Sequence, residues 1–159
     1  MGSDLTDLRV FRAAELLGKT VWDAVVSWDY FAKKTVGEQL VRAADSIGAN
    51  IAEAQGRYHY GEKLHFLYYA RGSLYETRFW LRQAFQRKLL KAEQVSQIQE
   101  QLDSLPLMLN NFINSIKSQK SQGTVKEETV PYTTDWLDAD PIAQSPNLSI
   151  SPNTDPNPF

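Results

Sequence analysis

Through the first 118 residues, apolar positions return every three or four residues and nowhere alternate with a period of two. That is the spacing of amphipathic helices rather than strands. Four stretches carry it. The first runs from Asp4 to Trp28, with Leu8, Phe11, Ala14, Leu17, Val21, Ala24, Val25 and Trp28 on one side and Ser3 or Asp4 placed to cap it. The second runs from Thr35 to Gly56. Thr35 and Glu38 fit a capping box, in which each side chain satisfies a backbone N–H at the other's position, and Gly56 falls where a helix stops. The third covers Gly61 to Lys88 and the fourth Ala92 to Ser118. On the fourth, Val95, Ile98, Leu102, Leu105, Leu109, Phe112 and Ile116 advance by alternating threes and fours, a heptad seam. Pro106 interrupts that seam and predicts a kink or a restart, with Ser104 or Leu105 losing its carbonyl's partner. Four helices joined by short connections predict an all-α fold, an antiparallel up-and-down four-helix bundle.

Placing the second helix on a wheel at about 100° per residue separates three strips. Leu40, Ala43, Ala44, Ile47, Ile51 and Ala54 are apolar and predict a core face. Val41, Gly48, Ala49 and Ala52 are mostly small. Gly48 costs about 1 kcal/mol of helix propensity relative to Ala, and predicts a close backbone approach there. Gln39, Arg42, Ser46, Asn50, Glu53 and Arg57 form a polar line without a lysine. If the second and third helices form an antiparallel hairpin turning near His59, Arg42 lies level with Glu76 and Ser46 with Ser73. That register predicts an Arg42–Glu76 ion pair supported by Ser46, Asn50 and Ser73, a network that would fix register more than it adds stability. A second reading stands beside it, in which the strip is an outer surface that meets solvent or a partner.

The third helix is apolar on too many sides for one bundle. Leu67, Ala70, Leu74, Leu81 and Phe85 form a core strip, Tyr68, Tyr75 and Phe79 a second strip, and Tyr69 and Trp80 a third. A helix that is hydrophobic around most of its circumference requires neighbours on most sides. The surplus predicts self-association.

Charge divides the chain unevenly. Residues 1–120 carry sixteen Lys and Arg against thirteen Asp and Glu, whereas residues 121–159 carry one lysine against six acids. The second segment also holds six of the seven prolines, and reads as a disordered acidic tail following a bundle of residues 1–120. Tyr132, Trp136 and Leu137 are the tail's candidates for docking on a folded surface. The chain has no cysteine, which excludes disulfides and thiolate chemistry and is compatible with a reducing compartment. The N-terminus lacks a basic segment before an apolar run, and no apolar run approaches membrane length, so the expectation is a cytoplasmic protein with no membrane partner.

Catalytic chemistry finds little support. Glu62 and His65 form one E-x-x-H, whereas a di-iron bundle needs two with two further glutamates, and the other histidine, His59, has Gly56 three residues before it. No phosphate-binding or nucleophile-elbow motif occurs, so the chain reads as non-enzymatic, with no cofactor and no metal. Nucleic acid is the more serious ligand. Arg71, Arg78 and Arg82 line up beside Tyr68, Tyr75 and Phe79, and the segment GRYHYGEK gathers Arg57, Tyr58, Tyr60 and Lys63. Arginine beside aromatics suits phosphate contact with base stacking. Equally, arginines lay their stems over apolar surface with no ligand at all.

The segments QLVRAADSIGANIAEAQGR and FLYYARGSLYETRFWLRQA together resemble the signature of the four-helix-bundle family encoded in intervening sequences of bacterial 23S ribosomal RNA genes. They are also similar to the accessory variability determinant of diversity-generating retroelements. The resemblance covers about residues 5–118. It implies an up-and-down bundle assembled as a homopentamer. On the retroelement side it implies a reverse transcriptase partner and RNA or DNA binding. The motif's polar positions fall on Arg42, Ser46, Asn50, Glu53, Gly72, Ser73 and Glu76. Two departures stand out. Ala54 and Gln55 occupy the place where the family has glycine, and the body lacks the strong positive charge of the retroelement members.

Overall fold

A computed structural model describes residues 8–123. The caps expected at Ser3 and Asp4, and the tail from residue 124 onward, lie outside those residues. The described chain forms α1 (Arg9–Val25), a short α2 (Tyr30–Ala32) that runs through a π-helical turn (Lys33–Gly37) into α3 (Glu38–Gly56), then α4 (Tyr60–Gln86) and α5 (Ala92–Gln122). The architecture is all-α. Each long helix packs on two others, in the cyclic order α1, α3, α4, α5.

Contacts across the seams fix the antiparallel register. Gly18 faces Asp45 and Gly48 faces Ala14 between α1 and α3, while Arg78 reaches Leu102, and Gly61 lies beside Lys120, between α4 and α5. The core is a single apolar cluster in which Leu17, Leu40, Ile47, Ile51, Leu67, Leu81, Ile98, Leu105 and Leu109 are wholly buried. All six residues of the expected core strip on α3 are buried. The expected seam on α5 holds at Ile98, Leu102, Leu105, Leu109 and Ile116, but Ile113 takes the buried place expected of Phe112, which is only half-buried. On α4, Ala84 and Thr77 are buried and Phe85 is half-buried; the Thr77 hydroxyl donates to the Ser73 carbonyl at 2.7 Å, so its burial leaves no donor unmet.

Several boundaries differ from expectation, each for a local reason. The capping box at Thr35 and Glu38 does not form. The cap is Asp29, whose carboxylate accepts from the Ala32 N–H at 3.0 Å, so helix begins at Tyr30. Thr35 instead donates to the Phe31 carbonyl at 2.8 Å, and Glu38 pairs with Lys34 one turn away. The π turn keeps one face inward. Ala32, Val36, Leu40 and Ala44 recur at intervals of four and are all buried. In a regular helix each such step drifts by about 40°, and one wider turn takes up part of that drift. Gly37 belongs to the same turn, since a Cβ there would lie 2.8 Å from Val25 Cγ1. Trp28 lies beyond the end of α1 yet remains buried in the core cluster.

Pro106 neither ends nor restarts α5, which is helical throughout. The carbonyl that loses its partner is that of Leu102, four residues before the proline, rather than that of Ser104 or Leu105. A guanidinium N–H of Arg78 on α4 donates to it at 3.1 Å. α4 ends in a Schellman motif: Lys88 N–H donates to the Phe85 carbonyl and Leu89 N–H to the Ala84 carbonyl, both at 2.9 Å, with Lys88 at φ 59°.

Candidate interaction surfaces

The polar strip of α3 lies outside the core. Arg42 and Glu53 are exposed, and Ser46 and Asn50 half-buried. On α4, Glu76 is exposed and Ser73 half-buried. The expected Arg42–Glu76 ion pair is not formed: among the described residues, the ion pairs are Lys19–Asp23, Lys34–Glu38 and Arg57–Glu53, each one helical turn apart. Asn50 donates to the Ser46 carbonyl of its own helix at 2.8 Å rather than across the seam. Beside this strip, a Cβ at Gly72 would meet nothing within 4 Å. Within one protomer the strip is outer surface, its residues exposed or half-buried.

The small strip of α3 behaves differently from expectation. A Cβ at Gly48 would sit 3.8 Å from Ala14 Cβ, an ordinary contact, so Gly48 is not required by the packing of α1 on α3. The close approach is at Gly18 on α1, where a Cβ would lie 2.8 Å from Asp45 Oδ1. The Asp45 carboxylate lies against α1 there, and partial burial raises its pKa above the ordinary aspartate value. Sequence reasoning passed over Gly18 and Asp45 because each looks ordinary on its own helix.

The candidate nucleic-acid residues divide into two groups. At the α3–α4 turn, Arg57 is ion-paired with Glu53 and stacks over Phe66, its guanidinium carbon 4.7 Å from the ring centre. Tyr58 is 89% exposed and meets His59 edge-on. Tyr60 packs half-buried against the core, and Lys63 is half-buried on the first turns of α4. On the other side of α4, Arg71 lies over Tyr68 at 5.2 Å, with Lys117 of α5 over the same ring at 5.8 Å. Arg78 is committed to the Leu102 carbonyl, and Arg82 is exposed one turn further on. Arg57 and Arg78 therefore each have partners within the chain. Arg71, Tyr75, Arg78, Pro106 and Asn110 line a small cleft between α4 and α5.

Large apolar side chains remain on the outside. Tyr30 and Phe31 are more than three-quarters exposed, Tyr75 is 65% exposed, and Trp22, Tyr69 and Phe79 are each just over half exposed. Among the described residues, no three His, Cys, Asp or Glu side chains gather where a metal ion could be held, and no helix is long and apolar enough to cross a membrane.

These features define a class: a four-helix bundle whose distinctive side chains lie on its outer faces and not around an internal cavity. Residues 6–111 match the family model of the 23S rRNA-intervening sequence protein, and the chain belongs to that family. No curated protein sequence matches it significantly.

Proposed function

We propose that this protein is a non-enzymatic, homo-oligomeric helical-bundle scaffold that presents an outer surface to an RNA or protein partner. The supporting observation is the set of aromatic side chains that one protomer leaves outside its core, Tyr75 and Phe79 on α4 and Tyr30 and Phe31 on α2 among them. Exposed apolar surface on this scale marks association sites on soluble proteins. Five copies is the number implied by the family resemblance, and the cytoplasm is the compartment the composition fits. Light scattering tests the assembly: a mass several times the 18.1 kDa of one chain is expected, and a monomer at every concentration would overturn the reading.

A second reading is a nucleic-acid-binding accessory factor that partners a reverse transcriptase. Its support is the grouping of Arg71 and Lys117 about the Tyr68 ring, which suits a phosphate beside a stacked base. Binding through phosphates weakens steeply with salt. A gel shift with RNA or DNA at low salt that disappears as salt rises is the expected signature, and no shift at low salt eliminates this reading.

A further inference from the structure

The cyclic order of the helices places the α1/α3 seam and the α4/α5 seam on opposite faces of the bundle. The two faces differ in shape and charge. On the first, Gly48, Ala49 and Ala52 of α3 and Phe11 and Ala14 of α1 line a groove together with Glu15 and Asp45. Neither carboxylate has an ion-pair partner among the described residues. Asp45 is also partly desolvated, so its charge is held at some cost in the lone protomer. On the second face, Tyr75 projects beside Arg71, and Lys117 lies one ring away across Tyr68. Arg71 and Lys117 have no carboxylate partner among the described residues.

We infer that a second copy of this chain occupies the groove: the α4/α5 face of one copy docks on the α1/α3 face of the next, Tyr75 entering beside Phe11 and over Gly48 and Ala52, and Arg71 and Lys117 meeting Glu15 and Asp45. The inference rests on the self-association proposed above and names its two faces. A nucleic acid would answer only the basic face and would be repelled by the acidic one. A second copy accounts for both, because each carries what the other lacks. Two different faces in contact make a heterologous interface, so copies follow one another head to tail and either close a ring or continue as a fibre.

The test is charge reversal read by light scattering across a dilution series. One chain carries Glu15→Lys and Asp45→Lys, a second carries Arg71→Glu and Lys117→Glu, and a third carries all four changes. Each pair alone sets like charges against each other and is expected to weaken association about tenfold or more. The four changes together restore opposite charges and are expected to return association to the parent's level. Circular dichroism and thermal melting establish that each chain is folded. If a lysine at position 45 unfolds the protomer, Glu15→Gln with Asp45→Asn tests the same face, with a smaller expected loss. Folded pairs that associate like the parent, or a folded four-change chain that stays dissociated, would overturn the inference and leave the oligomer to another interface. A parent that is monomeric at every concentration removes the oligomer itself. Association indifferent to the changes, together with a salt-sensitive RNA shift lost in Arg71→Glu, would assign the basic face to RNA and likewise overturn the inference.

Discussion

Between α4 and α5 a charged side chain crosses the seam: Arg78 leaves its own helix to satisfy the Leu102 carbonyl that Pro106 strands. Between α1 and α3 the seam closes on small residues, with Gly18 making room for the Asp45 carboxylate and Gly48 beside Ala14. The first seam depends on one hydrogen bond to a particular atom, and its failure would leave a polar group unmet. The second depends on the absence of side chains, so added atoms are what disturb it. The two call for opposite perturbations, truncation on one side of the bundle and enlargement on the other.

Truncation has the larger expected effect. Arg78→Ala leaves the Leu102 carbonyl without its donor and is expected to cost about 2–3 kcal/mol, measured by urea denaturation. In a Pro106→Ala background the loss shrinks, because an alanine there supplies its own N–H to that carbonyl. Equal losses in the two backgrounds would show that Arg78 acts through packing and not through the stranded carbonyl. Enlargement comes next. Gly37→Ala sets a Cβ 2.8 Å from Val25 Cγ1 and 3.3 Å from the Ala32 carbonyl, an overpacking expected to cost about 1–3 kcal/mol by the same measurement. Gly48→Ala runs the other way. Its Cβ finds only ordinary contacts, so the gain in helix propensity is expected to stabilise the protomer by up to about 1 kcal/mol.

The smallest effect is a pH dependence. Burial raises the Asp45 pKa in the folded protomer above its unfolded value near 3.8. Ionised Asp45 therefore disfavours the fold. That contribution is absent below the unfolded value, grows as pH rises through the folded value, and is full above it. At dilutions where the chain is monomeric, Asp45→Asn is expected to melt slightly higher than the parent at neutral pH, with the difference closing as pH falls towards 3.8. A gap that is constant with pH would remove desolvation as the cause.

The sequence was most legible where periodicity carries the information. On α3 the apolar strip from Leu40 to Ala54 is buried throughout, because a repeat of three and four admits only one inward face. Prediction failed where two segments decide together. Thr35 and Glu38 satisfy the pattern of a capping box, but Asp29 lies upstream and starts the helix first. Gly48 looked like a contact glycine from its own helix, whereas the contact depends on what α1 presents opposite it. The polar strip from Arg42 to Glu53 was visible as a strip, but its role was not. Whether Arg42 meets Glu76 depends on the separation of two helices, which no single-helix wheel contains. Arg78 looked like the ligand contacts beside it, and its true partner lies 24 residues away, on a carbonyl that a proline four positions later strands.

The π turn at Lys33–Gly37 bears on how the surface of this chain can change. Deleting one residue there would remove the residue that the wider turn accommodates and return the helix to its ordinary pitch, with the segment before it keeping close to its present direction relative to α3. A second deletion, in a helix now regular, would instead swing what precedes it by about 100° and carry Asp29, Tyr30 and Phe31 to a different side of the bundle, while the hydrophobic face of α3 stayed where it is. The π turn is thus the place where one residue can be lost without redirecting the exposed aromatic pair. At this position the chain can absorb a change of length by one residue that in a regular helix would turn its aromatic pair towards a different side.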